Sequence, residues 1–325
     1  MIEHTHWHPV TESATLRDAP LPVRLFGEDL VLWRDEAGTA RAWADRCPHR
    51  GTKLSLGQVV RDDYGARLEC PYHGWRFDGA GQCRIVPALP AFKPPASYHA
   101  CTHEARDAYG LVWVRLQPDE STEPPTFEAE ADPKLRKLLC GPYDVAASAP
   151  RIVENFLDLS HFGFVHDGLL GDRAHTALAD YRIEATPTGF VAHGCEAWQP
   201  QSNRLAEGGS LVDYRYELTA PFQAMLTKLP QAQDGYQDVI ALFVCPITPE
   251  TSRVWFRVAL TDFDSSDADL RAFQDAIFAQ DQPVLESQSP KPLPLRSGEL
   301  HCAADRSSVA YRRFLAERGI TFGVC

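Results

Sequence analysis

The chain has 325 residues, 44% hydrophobic and 23% charged, a balance that supports a buried core and excludes a disordered polypeptide. Its formal net charge of −12 argues against a broad nucleic-acid surface and leaves no polybasic membrane signal. No apolar run approaches the roughly 18 residues that span a bilayer. The opening Met1-Ile2-Glu3-His4-Thr5-His6 has no basic region followed by an apolar core, so the expectation is a cytoplasmic protein.

In chain order, residues 1–118 read as a β-rich unit. Short apolar or alternating runs stand at Val23–Phe26, Leu30–Trp33, Ala40–Ala44, Arg67–Cys70 and Leu111–Leu116. Turn signals separate them, among them Phe26-Gly27-Glu28-Asp29 and Asp78-Gly79-Ala80-Gly81. Residues 117–134, rich in Pro, Asp and Glu, read as a connection, which gives a first domain of 1–118 and a second of 119–325. In the second, Arg151–Val165 has helical spacing of Ile152, Phe156, Leu159 and Phe162. Strand-like stretches follow at Tyr181–Ala185, Gly189–Ala197, Leu211–Thr219, Val239–Cys245 and Arg253–Leu260. A helix is predicted over Asp267–Asp281, with Ser265 or Ser266 as N-cap and Pro283 just past it, and another over Ala304–Arg318, ending at Gly319. Strands flanked by helices without βαβ alternation make an α+β pattern.

Nine cysteines, an odd number scattered over a long chain, do not read as a disulfide framework. Cys47 and Cys70 alone stand in a suggestive context: Cys47-Pro48-His49-Arg50-Gly51, then Cys70-Pro71-Tyr72-His73-Gly74-Trp75. Two thiolates and two imidazoles hold either one zinc or one two-iron cluster. Zinc fingers pair Cys with Cys and His with His; here each loop supplies one of each. Facing loops would put both thiolates on one iron and both imidazoles on the other, the Rieske [2Fe–2S] arrangement. A structural zinc site is the competing reading. Tyr72 and Trp75 would shield a cluster or pack as ordinary core.

A second constellation lies in Asp158-Leu159-Ser160-His161-Phe162-Gly163-Phe164-Val165-His166. Three residues apart on a helix, Asp158 and His161 would share a face. A spacing of five does not fit one helical face, so His166 needs a π-bulge or a helix end, which Gly163 would ease. Two histidines and one carboxylate make the facial triad of non-heme iron(II) oxygenases. Asp281 and Glu286 both qualify as the carboxylate by position. Phe222, Met225, Leu226, Phe243 and Trp255 would line an apolar pocket or simply fill the core. No G-x-G-x-x-G follows a strand, so NAD(P)H use falls to a separate reductase.

Together the two constellations resemble the Rieske non-heme iron oxygenases, and the wording is similar to the branch of vanillate and dicamba O-demethylases and caffeine N-demethylases. Also carrying the likeness are His6-Trp7-His8-Pro9-Val10, Lys53-Leu54-Ser55-Leu56-Gly57, Glu154-Asn155-Phe156 and Asp281–Gln288. The resemblance implies an N-terminal all-β Rieske domain and a C-terminal helix-grip catalytic domain, an antiparallel sheet around a long helix. It implies cluster ligands Cys47, His49, Cys70 and His73, iron(II) ligands His161, His166 and Asp281, and Asn155 near the iron. It further implies a head-to-tail homotrimer, in which Asp158 bridges the cluster ligand His73 of one subunit and the iron ligand His161 of the next. The implied activity is that of a monooxygenase using O2 and electrons from a reductase or ferredoxin. A small aromatic or heterocyclic substrate would lose an O-methyl or N-methyl group as formaldehyde, or be hydroxylated at carbon. Two other classes compete. A plain Rieske electron carrier needs only the first 118 or so residues, and a zinc-binding sensor would be colourless.

Overall fold

The computed structural model describes residues 1–62, 65–119 and 123–325. Residues 120–122 of the segment read as a connection lie outside the described residues. Two compact units result: His4–Pro124, and Pro125–Cys325 with Met1–Glu3.

The first unit is built from strands. A six-stranded antiparallel sheet has β1 (His8–Glu12), β2 (Leu21–Leu25), β3 (Glu28–Arg34) and β4 (Ala40–Ala44). A smaller sheet has β5 (Gln58–Asp62), β6 (Gly65–Glu69), β7 (Arg76–Phe77) and β8 (Cys83–Ile85). β9 (Thr102–Ala108) and β10 (Leu111–Arg115) return to the first sheet, whose order is β1-β10-β9-β4-β3-β2. A two-residue turn at Phe26-Gly27 joins β2 to β3, both residues at positive φ as a primed hairpin turn requires. Leu30, Val31, Leu32 and Trp33 are all buried, so β3 is covered on both faces. Trp33 meets Trp43 edge to face at 5.1 Å, and this core also takes in Leu68, Phe77, Cys47 and Cys70. β9 escaped the sequence reading because Thr102-His103-Glu104-Ala105-Arg106-Asp107-Ala108 carries almost no apolar side chains; backbone pairing to β10 and β4 holds it.

The second unit begins with β11 (Arg136–Val145), α1 (Ala149–Phe156) and α2 (Phe162–Val165). β12 (Arg182–Ala185), β13 (Phe190–Gln199), β14 (Ser210–Ala220), β15 (Gln223–Pro230), β16 (Asp238–Thr248) and β17 (Thr251–Leu260) follow. With β11 they form a seven-stranded antiparallel sheet, order β11-β17-β16-β15-β14-β13-β12. The long helix α3 (Asp267–Ser287) packs on it, and α4 (Arg306–Glu317) closes the chain. α3 turns Leu270, Gln274, Phe278, Asp281 and Leu285 inward, spacings of four, four, three and four that make one stripe. Phe278 anchors the stripe to the sheet, 4.6 Å from Tyr143 and 5.5 Å from Phe256 between ring centroids.

Two helical expectations need correction. Ser266 caps α3, its Oγ accepting from Asp269 N at 3.1 Å, but the helix runs through Pro283 to Ser287 rather than stopping at Asp281. The proline removes one helical donor. Buried Leu285, and a 2.8 Å bond from Gln282 Nε2 to Glu286 Oε1 across it, hold the final turn. Arg151–Val165 is not one helix. Capped by Ser148, α1 ends at Phe156; the chain turns through Leu157–His161 and restarts as α2.

Candidate metal centres

In the first unit two loops of matching construction hold the Cys-His pairs. Cys47 N donates to Thr52 O at 2.8 Å and Gly51 N to Cys47 O at 2.9 Å. Cys70 N donates to Trp75 O at 2.8 Å and Gly74 N to Cys70 O at 3.0 Å. Each loop closes on a glycine in the left-handed region, Gly51 at φ 73° and Gly74 at φ 68°, which a side chain would strain. Both thiols are buried and hydrogen-bonded to one another, and burial pushes the Cys47 thiol up to about 11. The imidazoles lie outward of them, His49 half-buried and His73 exposed, with ring centroids 4.6 Å apart. His49 stacks on Trp75 at 4.3 Å and Trp75 on Tyr98 at 5.4 Å, while exposed Tyr72 covers His73 at 3.9 Å. Adjoining thiols with two imidazoles beside them fit the soft, mixed donor set of a Rieske cluster.

In the second unit, residues more than a hundred positions apart converge. His161 Nε2 and His166 Nε2 are 3.2 Å apart, and Asp281 Oδ1 lies 3.4 Å from the first and 3.3 Å from the second. Adjacent ligands bound at about 2.1 Å stand roughly 3 Å apart, so this triangle suits three sites on one face of a metal ion. His161 precedes α2 and His166 follows it, so the five-residue spacing is resolved by a four-residue helix between them. No π-bulge is involved. Gly163 contributes room: a Cβ there would stand 2.8 Å from Thr176 Cγ2. Asp158 and His161 do lie side by side, on the turn rather than on a helix.

Both histidines are held from behind, and the carboxylate has a hydrogen-bond partner of its own on the oxygen that faces them. His161 Nδ1 donates to Asp158 Oδ2 at 3.1 Å, and His166 Nδ1 to Gln280 Oε1 at 2.9 Å. These acceptors place both imidazole protons on Nδ1 and leave Nε2 free to bind. Asn155 Nδ2 donates to Asp281 Oδ1 at 3.3 Å. Glu286 is elsewhere, its Oε1 accepting from Ala146 N and Gln282 Nε2. Gln280 was missed by the sequence reading. Its signal was weak: a glutamine one residue before Asp281, on a helix whose inward stripe already contains Gln274 and Asp281.

The triangle opens into a cavity between the sheet and α3, walled by Phe156, Leu242, Phe256, Ile277 and Phe278. Of the five residues suggested as lining, Leu226 alone is found there among the described residues. Strand alternation explains three of the other four. Leu242 pairs with Phe256 on the cavity face, so their strand neighbours Phe243 and Trp255 must point the other way, and Met225 likewise alternates with Leu226.

Comparison with known proteins bears on both units. Residues 6–106 match the Rieske [2Fe-2S] domain, and residues 145–319 the vanillate O-demethylase oxygenase C-terminal domain. The methylxanthine N1-demethylase NdmA of Pseudomonas putida is 35% identical over 96% of this chain and 88% of its own length. The methylxanthine N3-demethylase NdmB of the same organism is 31% identical over 97% and 89%. The structure of NdmA with caffeine superposes with a TM-score of 0.85 at 34% identity, over 97% of this chain and 91% of that one. Dicamba monooxygenase shares the fold, with a TM-score of 0.78 at 21% identity over 98% and 97%. Long coverage, both domain matches and the donor chemistry together lead to one conclusion: this protein belongs to the Rieske non-heme iron oxygenases, in the branch that holds the vanillate O-demethylases and the methylxanthine N-demethylases.

Proposed function

We propose that the chain is the oxygenase component of a demethylating monooxygenase. In it, Cys47, His49, Cys70 and His73 hold the [2Fe–2S] cluster, and His161, His166 and Asp281 hold iron(II). The observation that carries this reading is the triangle of two Nε2 atoms and one carboxylate oxygen at the mouth of an apolar cavity. When bound, the cluster supplies single electrons and the iron supplies oxygen activation.

The chain's own residues do the positioning. Asp158 and Gln280 fix the tautomers of the two histidines, and Asn155 orients Asp281. The aromatic and aliphatic walls exclude water and present a small aromatic or heterocyclic substrate with its O-methyl or N-methyl group toward the triangle. Overall, the methyl carbon leaves as formaldehyde, one oxygen atom of O2 leaves as water, and NAD(P)H is oxidised by a separate reductase, directly or through a ferredoxin. That division of labour is supported by the lack of a dinucleotide fingerprint in the sequence. Exposed His73 and partly exposed Asp158 suit a homotrimer in which His73 of one subunit meets Asp158 of the next. No helix among the described residues is long and apolar enough to cross a membrane, and a cytoplasmic site of action agrees with this composition.

The test is oxygen uptake with a surrogate reductase across methoxy- and N-methyl aromatics, with formaldehyde assayed. Uptake coupled to formaldehyde supports the reading. Uptake coupled to a hydroxylated product that keeps its methyl group overturns it in favour of C–H hydroxylation.

A further inference from the structure

The Cys-His loops differ in charge from the rest of the chain. Residues 46–57 and 70–99, which carry the two loops and the segment that follows them, hold six Lys and Arg against one acidic residue, Asp78, in a chain of net charge −12. Three of the six are neutralised: Lys53 by Asp29 at 2.9 Å, Arg76 by Glu69 at 2.6 Å, and Arg84 by Asp78. Arg46, Arg50 and Lys93 are exposed and have no carboxylate partner among the described residues. An acidic protein therefore carries a local excess of positive charge at these loops.

The same end exposes apolar surface. Residues 87–98 contain four prolines and a single charged side chain, Lys93. Turn hydrogen bonds fold the segment: Leu89 N to Val86 O, Phe92 N to Leu89 O and Tyr98 N to Pro95 O, each at 2.9 Å. Gln82 Nε2 pins it by donating to Pro95 O at 3.0 Å. Pro87 abuts the second loop, since a Cβ on Gly74 would stand 3.1 Å from Pro87 Cγ. Prolines and turns make a stiff platform. Leu89 is nevertheless 60% exposed and Phe92 39%. Apolar side chains on stiff backbone, rimmed by unpaired cations, have the make-up of a protein-binding surface.

A row of rings joins this platform to the first loop. His49 stacks on Trp75 at 4.3 Å with planes 5° apart, and Trp75 on Tyr98 at 5.4 Å and 7°. Tyr98 meets exposed Phe92 at 5.8 Å, the widest step in the row.

From this we infer that the platform is the docking surface of the one-electron donor, an acidic iron–sulfur protein or domain. It seats on Leu89 and Phe92, is drawn by Arg46, Arg50 and Lys93, and passes its electron by way of Tyr98 and Trp75 to the His49 side of the cluster. The inference rests on the proposal that Cys47, His49, Cys70 and His73 hold that cluster, and adds where its partner docks and with what charge. One electron leaves the donor's reduced cluster and enters the oxidised cluster of this chain; no bond forms or breaks. A small apolar centre with a charged rim suits a contact that forms quickly, lasts briefly and weakens in salt. The rival occupant is a second copy of this chain. The homotrimer proposed above takes the His73 side, which leaves the His49 row to the donor.

The experiment uses the oxidised, cluster-loaded holoenzyme without substrate and, as probe, an acidic plant-type [2Fe–2S] ferredoxin. Calorimetry measures affinity, and stopped-flow absorption follows reduction of the holoenzyme's cluster by pre-reduced probe. Wild-type affinity is expected to fall steeply as salt rises. Lys93→Glu should weaken binding at least about tenfold and slow reduction in proportion. Phe92→Ala should weaken binding about fivefold with the salt dependence kept. Arg17→Glu, the same change of charge on the loop between β1 and β2, should leave both measures within about twofold of wild type. Dithionite should reduce every variant's cluster at the wild-type rate, since a small reductant needs no platform. Wild-type binding that is absent or ignores salt overturns the inference, as do equal losses in Lys93→Glu and Arg17→Glu. Dithionite reduction slowed in parallel with the probe would assign the losses to a damaged cluster and overturn it too. A Phe92→Ala protein that falls to a smaller oligomer while keeping its affinity for the probe gives the surface to a second copy instead. Formaldehyde is assayed separately, so docking without demethylation would sink the proposed reaction and leave this surface standing.

Discussion

Gln280 Oε1 accepts a hydrogen bond from His166 Nδ1 at 2.9 Å, one residue before Asp281. A single turn of α3 therefore supplies both the carboxylate of the candidate metal site and the acceptor that sets the tautomer of the neighbouring histidine. Gln280→Leu removes that acceptor and frees the His166 ring to rotate or to carry its proton on Nε2. Mononuclear iron affinity is expected to fall about 10- to 100-fold. Competition with a calibrated chelator measures it. Unchanged iron retention, with the cluster's visible spectrum intact, would show that packing alone orients His166.

Cys70 lies in the apolar core of the first unit, with its loop hydrogen bonds in the backbone rather than the side chain. Cys70→Ser should therefore keep the loop but lose the cluster. Visible absorption is expected to vanish and iron content to drop by the two atoms of the cluster, while iron at the second centre remains. Retention of two-iron absorption would remove Cys70 from the ligand set.

Asp158→Asn tests electron transfer between subunits. The amide can still accept from His161 Nδ1, so iron content should hold, yet the charge that would couple His73 of one subunit to His161 of the next is gone. Turnover with reductase is expected to fall by at least about tenfold at equal iron loading. Turnover near wild type would refute the bridging role.

Away from the metal positions, Arg151 and Arg312 are buried and share Glu299, with Glu154 bonded to Arg312. Hydrogen bonds from the two guanidiniums hold the Glu299 carboxyl down at about 2. The folded pKa is below the unfolded one, so this stabilisation is complete above pH about 4.5 and drains away as pH falls toward 2. Glu299→Gln should cost about 2–3 kcal/mol at pH 7, because two buried guanidiniums lose a charged partner. Its unfolding temperature should also vary less than the wild type's between pH 4.5 and 3. Parallel curves for the two proteins, followed by circular dichroism, would show that Glu299 carries none of the acid sensitivity.

Much of this molecule is written locally. Alternation marked most strands of the two larger sheets, since half-buried strands show their pattern at period two. The Cys-x-His and Cys-x-x-His spacings were legible for the same reason: a short loop can bring its own two ligands together with no help from the rest of the chain. β9 and β15 were not legible. One is polar along most of its length, and the other interrupts its apolar face with Lys228, a residue whose burial follows from the cavity rather than from the strand.

What only the tertiary structure decided is long-range. Asp281 and Glu286 stood as equal candidates by position. The inward stripe of α3 turns Asp281 to the histidines, while Glu286 is taken up by Ala146 and Gln282. The break between α1 and α2, the acceptor role of Gln280 and the pairing of Lys228 with Asp238 likewise depend on contacts between elements far apart in sequence. Spacing constrains what a few neighbouring residues can reach. Register and packing choose which distant side chains meet, and here they bring the two histidines that flank α2 against the carboxylate of a helix more than a hundred residues away.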